Sequence, residues 1–497
     1  MDGSPCSLDK EFSDRIAALL APPTPQSIQE YHDELIEATK CLGLRIMYSN
    51  KHGKGVYANS EFKEGELILK DRMLVAAQHS SNKVDCLVCS YCFRFIGSIE
   101  LQIGRKLYLQ GLGLSTKKEC DYQTFSHSSN GLCQNEMEEA EGNFVMNESD
   151  NTGSSSSKNL KADPLPEDLL LSLMNGDLSL PYTKQFALPP VIACPGACEE
   201  EHYCSKLCAD SDWESFHSLL CTGQNTEQSR RASLFKFIEH ANSTNDIFIL
   251  VAKVISCTIL KYRKLKRSHA IEIGKPCNLD KTDEFSFSLL MEAWKPISMG
   301  FKKRWWDCIA LPDDVDSCDE ESFRMQIRDL AFTSLKLLKG AIFDDECAPL
   351  FSLEIYGHII GLFELNNLDL VVASPVEDYF IYIDDLPCKE KREAETVARP
   401  LLNALGDEYA DCCQGTAFFP LQSCMNHSCC PNAKAFKRDE DRDGHAVIVA
   451  LRPISIGEEI TISYIDEDLP YDERQVQLAD YGFKCRCPSH CQGADAD

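Results

Sequence analysis

Apolar residues recur at helical spacing over three long parts of this chain. The first part is polar overall and predicts a helical segment over residues 1–43; its apolar positions include Ile28, Tyr31, Leu35 and Ile36. Residues 230–270 and 320–365 carry longer patterns of the same kind, for example Ile247, Leu250, Val251, Val254 and Ile255. We expect long, largely buried helices in both regions.

Short apolar runs between turn residues replace the helical pattern at both ends of the chain. One set lies within residues 44–80, and the other returns from Gly415 onward, at 446–451 and 460–464. Runs of this length with flanking glycine and glutamate turns predict strands. The whole pattern therefore predicts an α+β fold in which helices are inserted between two β-rich ends.

One long stretch shows neither the helical spacing of apolar residues nor the short apolar runs that predict strands. Residues from about 115 to 165 are rich in Ser, Asn, Glu and Lys and contain four consecutive serines at 154–157. Such a composition buries too little apolar surface to offset the entropy of ordering, so we expect this stretch to be mostly disordered. Cysteine clusters lie on both sides of it, which indicates an insertion within one module.

The charge of the chain narrows the possible partners. Its 497 residues carry a formal net charge of −28, which argues against direct, sequence-specific DNA binding because phosphate recognition needs a basic surface. An acidic protein instead attracts cationic partners, and lysine-rich protein tails fit that field. The N-terminus lacks the pattern of a secretory signal, and no apolar run approaches the length of a membrane span. We therefore expect a soluble intracellular protein.

The 26 cysteines are clustered, which in a reducing compartment favours metal binding over disulfides. Six ligands with spacings that suit tetrahedral zinc fall within 28 residues: Cys194, Cys198, Cys204, Cys208, His217 and Cys221. Two four-coordinate sites need eight ligands, so a further pair must come from Cys86, Cys89 and Cys92. Both possible pairs have a workable spacing; we favour Cys89 and Cys92, with Cys86 as the alternative.

A third cluster lies near the C-terminus. Cys485 and Cys487 are followed by His490 and Cys491, and a tetrahedral site built from three of these is one ligand short. Cys429 is the candidate for the fourth ligand, which would tie this segment to residues far upstream. His490 and Cys491 compete for the last position, and the softness of a thiolate favours Cys491. The sequence thus predicts three zinc ions.

The motifs resemble two known modules. The segments Asn426–Asn432, Gly457–Tyr464 and Tyr481–Cys487 resemble the SET domain of protein-lysine methyltransferases, and His52–Val56 with Glu64–Glu66 resembles its first segment. The earlier cysteine patch, with its Tyr-Cys-x3-Cys and His-x3-Cys elements, resembles a MYND zinc finger. Together they resemble the SET-and-MYND class, and most of all its plant Trithorax-related histone-lysine methyltransferases.

This resemblance implies a SET-domain β core split by a MYND-type zinc finger and a helical insert, followed by a zinc-binding post-SET tail. The expected boundaries are 1–43 for the N-terminal helical segment, 44–80 for the first SET part, 86–221 for the finger, 222–345 for the helical insert, 346–468 for the second SET part and 469–497 for the post-SET tail. The family's interleaved zinc binding implies one site from Cys89, Cys92, Cys204 and Cys208, and another from Cys194, Cys198, His217 and Cys221.

The resemblance also assigns roles in the active site. Tyr464 is the expected catalytic tyrosine, and Tyr481, a second catalytic candidate, lines the lysine channel or cofactor site with Phe483. S-adenosylmethionine is the expected cofactor. The residues expected to hold it are His52, Gly53, Lys54, Asn426 and His427, with Tyr464 and Phe483 beside them. Asn366 is a further candidate for cofactor binding. In the competing interpretation it is simply a polar residue at the end of a helix.

The expected function is methyl transfer from S-adenosylmethionine to a protein lysine, on a histone tail, by a chromatin-modifying enzyme in the nucleus; the cytoplasm is the alternative location. The finger would bind proline-rich or transcription-factor partners. A catalytically weak SET-MYND zinc adaptor is the main alternative, and a RING-like ubiquitin ligase module is a third interpretation. An adaptor has no chemical need for Asn426, His427 and Tyr464 together, which favours the enzyme.

Overall fold

The computed structural model describes residues 6–49, 53–114, 165–272, 283–312, 315–316 and 318–486. All of the predicted disordered insertion except Leu165 lies outside these ranges. The candidate cofactor residue His52 and the candidate zinc ligands Cys487, His490 and Cys491 also lie outside the described residues.

Short strands near both ends of the chain and long helices between them make up the described fold. The strands are β1 Leu44–Ser49, β2 Gly53–Ala58, β3 Leu67–Asp71, β4 Val75–Gln78, β5 Ile192–Ala193, β6 His202–Tyr203, β7 Asn367–Val372, β8 Cys413–Phe418, β9 Asn426–His427, β10 Ala433–Ala435, β11 Ala446–Ala450 and β12 Glu459–Ile462. The helices are α1 Ser7–Glu11, α2 Ser13–Leu20, α3 Pro25–Thr39, α4 Asn82–Asp85, α5 Ile99–Gly111, α6 Glu167–Asn175, α7 Lys206–Asp212, α8 Ser218–Leu220, α9 Gln228–Thr244, α10 Ile247–Glu272, α11 Asp283–Ser298, α12 Trp305–Cys308, α13 Glu320–Ile342, α14 Leu353–Asn366, α15 Pro375–Asp384, α16 Cys388–Leu405 and α17 Tyr471–Asp480.

The strands form small sheets that join the two ends of the chain. Their orders are β1-β2-β12-β9, β10-β11-β3 and β4-β8-β7, with β5-β6 as a separate pair. Strands β2 and β3 come from the first β-rich end and pair with β12 and β11 from the second. Within the described residues the pairs are antiparallel, apart from the parallel pair β9–β12. The predicted α+β fold with small sheets is confirmed.

Buried β-branched residues hold the central sheet together. Val56 of β2 lies opposite Ile460 of β12, and both side chains are almost fully buried. On the other side of β12, Thr461 and Ile462 pair with Asn426 and His427 of β9. Because strand pairing fixes the backbone at every position of the ladder, it also fixes the Cα positions from which the Asn426 and His427 side chains extend.

The helices pack on the third sheet rather than forming a separate body. Val251 and Ile255 of α10 and Ile359 and Phe363 of α14 are fully buried in the same apolar core as Phe418 of β8. A second helical layer joins α5 and α6, which flank the predicted insertion, to α15 and α16. Among the described residues, no helix combines the length and apolarity that crossing a membrane requires.

The turn between α11 and α12, residues 299–303, touches α14 backbone to backbone. A Cβ built on Gly361 of α14 would lie 1.9 Å from the carbonyl oxygen of Lys303. A Cβ built on Gly300 would lie 2.1 Å from Cδ1 of Leu362. At position 361 only glycine permits this approach, because a Cβ would push the Lys303 backbone away from α14; at position 300 a Cβ would instead have to displace the Leu362 side chain.

We expect Gly361→Ala to destabilise the protein by about 1–3 kcal/mol, since the Lys303 carbonyl would have to move. The matched control is Gly340→Ala in α13, where a Cβ would meet nothing within 4 Å. Alanine should there raise the stability by up to about 1 kcal/mol, because it favours the helix. Urea unfolding of both variants measures the difference. Equal effects in the two variants would contradict the close contact.

Candidate active site and zinc centres

Asn426 joins the first and second SET parts. Its Nδ2 donates to the Lys54 carbonyl oxygen at 3.0 Å and to Oε1 of Glu459 at 2.8 Å. A Cβ on Gly55 would lie 2.9 Å from that Glu459 oxygen and 3.3 Å from Asn426 Nδ2. A side chain at position 55 would therefore crowd Glu459 and Asn426, so glycine is favoured there for a steric reason that the sequence motif alone did not show. The Asn426 amide spans β2, β9 and β12.

His427 has a defined tautomer because of its backbone partner. The amide nitrogen of Tyr464 donates to His427 Nδ1 at 3.0 Å, so this ring nitrogen carries no proton. Burial and the charge of Arg474 lower the pKa of His427 to about 4, which keeps the ring neutral at physiological pH. The remaining proton is on Nε2, which lies 3.3 Å from Sγ of Cys429. His427 thus donates to Cys429 and is not free to bind metal through Nε2.

Aromatic side chains surround Tyr464. The ring centroids of Tyr481, His427 and Phe483 lie 5.1, 5.5 and 6.4 Å from the Tyr464 centroid. The Tyr464 hydroxyl donates a hydrogen bond to the carbonyl oxygen of Met425. Burial, reinforced by Tyr481, raises the pKa of Tyr464 above its ordinary value. The phenol therefore stays protonated beside a wall of aromatic carbon.

Two supporting residues had no role in the sequence prediction. Asn432 is 2% exposed, accepts from the Thr461 amide at 2.9 Å and donates to the Glu459 carbonyl at 2.8 Å. The Glu459 carboxylate accepts from Asn426, as described above. Both residues lie inside the recognised motifs, so the motif was the available signal. It did not reveal that Asn432 bonds to the backbone of β12 or that the Glu459 carboxylate bonds to Asn426 of β9.

The candidate cofactor residues Lys54 and Asn366 both reach the turn at 299–303. The Lys54 ammonium donates to the Met299 carbonyl oxygen. Asn366 accepts from the Phe301 amide at 3.1 Å and donates to the Phe301 carbonyl at 2.6 Å. The position of Asn366 at the end of α14 agrees with the competing interpretation of a helix-end residue, yet its bonds also bring a second SET segment to this turn. Gly53 has a φ of +70°, a conformation that favours glycine.

The predicted finger ligands form two compact groups. One contains Cys89, Cys92, Cys204 and Cys208, and the other contains Cys194, Cys198, His217 and Cys221; the ligand atoms of each group lie within 4.8 Å of one another. In the first group, Sγ–Sγ distances from Cys204 are 3.5 Å to Cys92 and 3.4 Å to Cys208. A tetrahedral zinc with Zn–S bonds of about 2.3 Å places its sulfurs about 3.8 Å apart, so the donor sets fit zinc.

Cys86 lies outside both groups. Its Sγ donates to the Asp411 carbonyl oxygen at 3.5 Å and accepts from Asn82 Nδ2 at 3.7 Å. The structure therefore separates Cys86, the alternative ligand, from the group that contains Cys92.

The C-terminal cluster is partly described. Sγ of Cys429, Sγ of Cys485 and a ring nitrogen of His427 lie within 4.8 Å of one another, and Leu478 of α17 packs beside both cysteines. The two thiols fit a zinc site, with His427 as a hydrogen-bond donor to one of them. The remaining ligands, Cys487 and Cys491, stay predictions because they lie outside the described residues.

Comparison with known proteins places this site in a family. A model of the SET domain matches residues 53–465. The chain belongs to the SET-domain family. It is 63% identical over 480 residues to the histone-lysine N-methyltransferase ATXR2 of Arabidopsis thaliana. The aligned region covers 96% of each chain. It is 24% identical over 459 residues to the human protein-lysine N-trimethyltransferase SMYD5, covering 90% of this chain and 86% of that protein.

A third relative matches only a short part. The human histone-lysine N-methyltransferase SMYD3 is 39% identical over 84 residues, which is 17% of this chain and 18% of that protein. With the full-length relatives, this match confirms the resemblance to the SET-and-MYND class. The roles of the individual site residues stay predictions.

We expect Cys92→Ser to remove about one zinc ion per chain, since a tetrahedral site with three ligands binds more weakly. Cys86→Ser is the matched control and should keep the full zinc content. Elemental analysis of the purified proteins after dialysis measures both. A loss of zinc in Cys86→Ser and not in Cys92→Ser would reverse the assignment.

Proposed function

We propose that this SET-family protein is a protein-lysine N-methyltransferase that transfers the methyl group of S-adenosylmethionine to a lysine of a histone tail. The observation that carries the proposal is the convergence of Asn426, His427 and Tyr464 with the aromatic rings of Tyr481 and Phe483. The names of the Arabidopsis and human relatives support the same activity. The alternative, a catalytically weak SET-MYND zinc adaptor, gives no reason for this convergence.

The residues present fit the cofactor. S-adenosylmethionine, when bound, supplies a methyl group on a cationic sulfonium. Aromatic faces attract such a cation, and Tyr464, Tyr481 and Phe483 provide them. Asn426, His427, Gly53 and Lys54 would hold the cofactor from two sides. Among the described residues, a Cβ on Gly53 would meet nothing within 4 Å, which leaves room for a ligand on that side.

The chain's own chemistry consists of positioning and desolvation. A free lysine has a pKa of about 10.4, so its neutral amine is roughly 4–5 kcal/mol uphill at pH 7. An apolar aromatic wall disfavours the ammonium form and lowers that cost. The Tyr464 hydroxyl, protonated and held by the Met425 carbonyl, is suited to orient the amine for an in-line displacement. No strong acid or base is needed at this site.

Acidic side chains near Tyr481 support a basic protein substrate. Burial raises the pKa of Tyr481, and the charges of Asp480, Asp369 and Glu364 raise it further. The whole chain carries −28. Such a field attracts the lysines and arginines of a histone tail and repels acidic proteins. From the names of the histone-lysine methyltransferase relatives we also propose a nuclear location, and from the resemblance to a MYND finger we propose proline-rich or transcription-factor partners for the finger.

We expect Tyr464→Phe to lower the methylation rate about 100-fold or more, because one positioned hydroxyl is lost. Asn426→Ala should lower it too, since the amide joins β2 to β12. The matched control is Tyr382→Phe in α15, whose hydroxyl bonds only to Gln185 among the described side chains. Labelled methyl transfer to histones and to a whole-cell protein extract provides the measurement. If zinc-loaded wild type labels no protein, the proposal fails.

We also expect Cys485→Ser to abolish activity although Tyr464 is intact. Loss of this ligand should release the segment that places Tyr481 and Phe483 against Tyr464. The exposed Cys388, at the start of α16, is the control, and Cys388→Ser should remain active. Activity and zinc content are measured together. An active Cys485→Ser enzyme would disprove the dependence on the C-terminal zinc site.

A further inference from the structure

A buried histidine of the N-terminal helix α3 contacts the segment that leads into β9. His32 is fully buried; its Nδ1 lies 2.7 Å from the carbonyl oxygen of Ile28, and its Nε2 lies 3.4 Å from Sγ of Cys424. Because Nδ1 faces an acceptor, it carries the proton of the neutral ring, which leaves Nε2 as an acceptor. The Cys424 thiol is therefore the donor in this contact.

The single proton of this thiol has two acceptors within reach. The other one, the Pro420 carbonyl oxygen, lies 3.4 Å from Cys424 Sγ and also accepts from the Ser423 hydroxyl. Among the described residues, no donor other than Cys424 reaches Nε2 of His32. A buried acceptor without a partner is unfavourable by about 1–3 kcal/mol, which favours donation to the histidine.

Packing alone does not account for a histidine at this position. Ile28 and Ile36, one turn before and one turn after it on α3, are buried and apolar, and Ile36 lies in the same core as Cys424 and Met425. An apolar side chain would fill the position without the cost of removing an imidazole from water. The contact with Cys424 offsets that cost. It also ties α3, which precedes the matched residues 53–465, to the SET core.

The contact lies one residue away from the carbonyl that holds the candidate catalytic hydroxyl. Cys424 and Met425 are consecutive, so fixing the Cys424 side chain also restrains the Met425 peptide. The Met425 carbonyl oxygen accepts from the Tyr464 hydroxyl, and Tyr464 packs against the same core as both residues. A chain of contacts therefore runs from His32 through Cys424 and Met425 to Tyr464.

We propose that His32 is a positioning residue for methyl transfer, which acts through Cys424 to hold the Met425 carbonyl where it orients the Tyr464 hydroxyl. This inference rests on the proposed function. Among the described residues, His32 makes its side-chain hydrogen bonds with Ile28 and Cys424. It touches none of the candidate cofactor residues. Loss of the contact should therefore lower kcat and leave the KM of both substrates nearly unchanged.

The test compares two amides in place of the imidazole. In His32→Gln the terminal amide reaches the position of Nε2 and can accept from Cys424, whereas in His32→Asn it reaches only the position of Nδ1. We expect His32→Asn to lower kcat about tenfold or more, because the hydroxyl is displaced, with each KM within about twofold of wild type. His32→Gln should keep most of kcat. Labelled methyl transfer by the full-length, zinc-loaded protein measures both constants.

The matched control is His358→Asn in α14. Nδ1 of His358 makes the same bond to a carbonyl four residues earlier, that of Glu354, at 2.7 Å. This variant should keep the wild-type kcat. A second pair of variants tests the contact from its other side, whether or not the His32 variants fold: Cys424→Ser keeps a donor and should stay active, and Cys424→Ala should lose as much kcat as His32→Asn.

An unchanged kcat in His32→Asn, or equal losses in the two members of both pairs, would overturn the positioning role. Methylation by the wild type would in that case still support the proposed function. A wild type that methylates no protein would overturn both.

Discussion

The pairing of β12 with β2 on one side and with β9 on the other is the constraint on which the site depends. Strand β2 comes from the first SET part, and β9 and β12 come from the second, more than 350 residues later. The buried pair of Val56 and Ile460 holds the antiparallel side of this ladder. Asn426 adds hydrogen bonds across it. Loss of the pairing would separate the candidate cofactor residues from Tyr464, whatever happened to the individual side chains.

A buried carboxylate supports the segment that leads into β9. Oδ2 of Asp71 accepts from the amides of Leu421 and Gln422 at 2.8 and 2.9 Å. Burial raises the pKa of Asp71 to about 7 despite these bonds. Next to this segment, Nε2 of His32 lies 3.4 Å from Sγ of Cys424. The N-terminal helix α3 thus helps to place the Met425 carbonyl, which accepts from the Tyr464 hydroxyl.

The candidate zinc-ligand groups bring together further segments that are distant in the sequence. The two groups of the finger connect segments that flank the long insertion, so metal binding can fix these segments relative to each other. The C-terminal group connects Cys429 to Cys485 and thereby brings Tyr481 and Phe483 to Tyr464. Candidate metal ligands and strand pairs therefore both bring distant segments together at one site.

The sequence by itself determined the α+β class, the candidate zinc-ligand pairs and the SET motifs around Asn426 and Tyr464. These features can be predicted from the sequence because they depend on the local periodicity of apolar residues and on short spacings between ligands and motif residues. The choice of Cys92 over Cys86, the proton on His427 Nε2 and the meeting of Lys54 with the turn at 299–303 were decided only by the tertiary structure. The Lys54 contact spans 245 positions. No local pattern encodes such a contact, because it results from how buried strands and helices pack together.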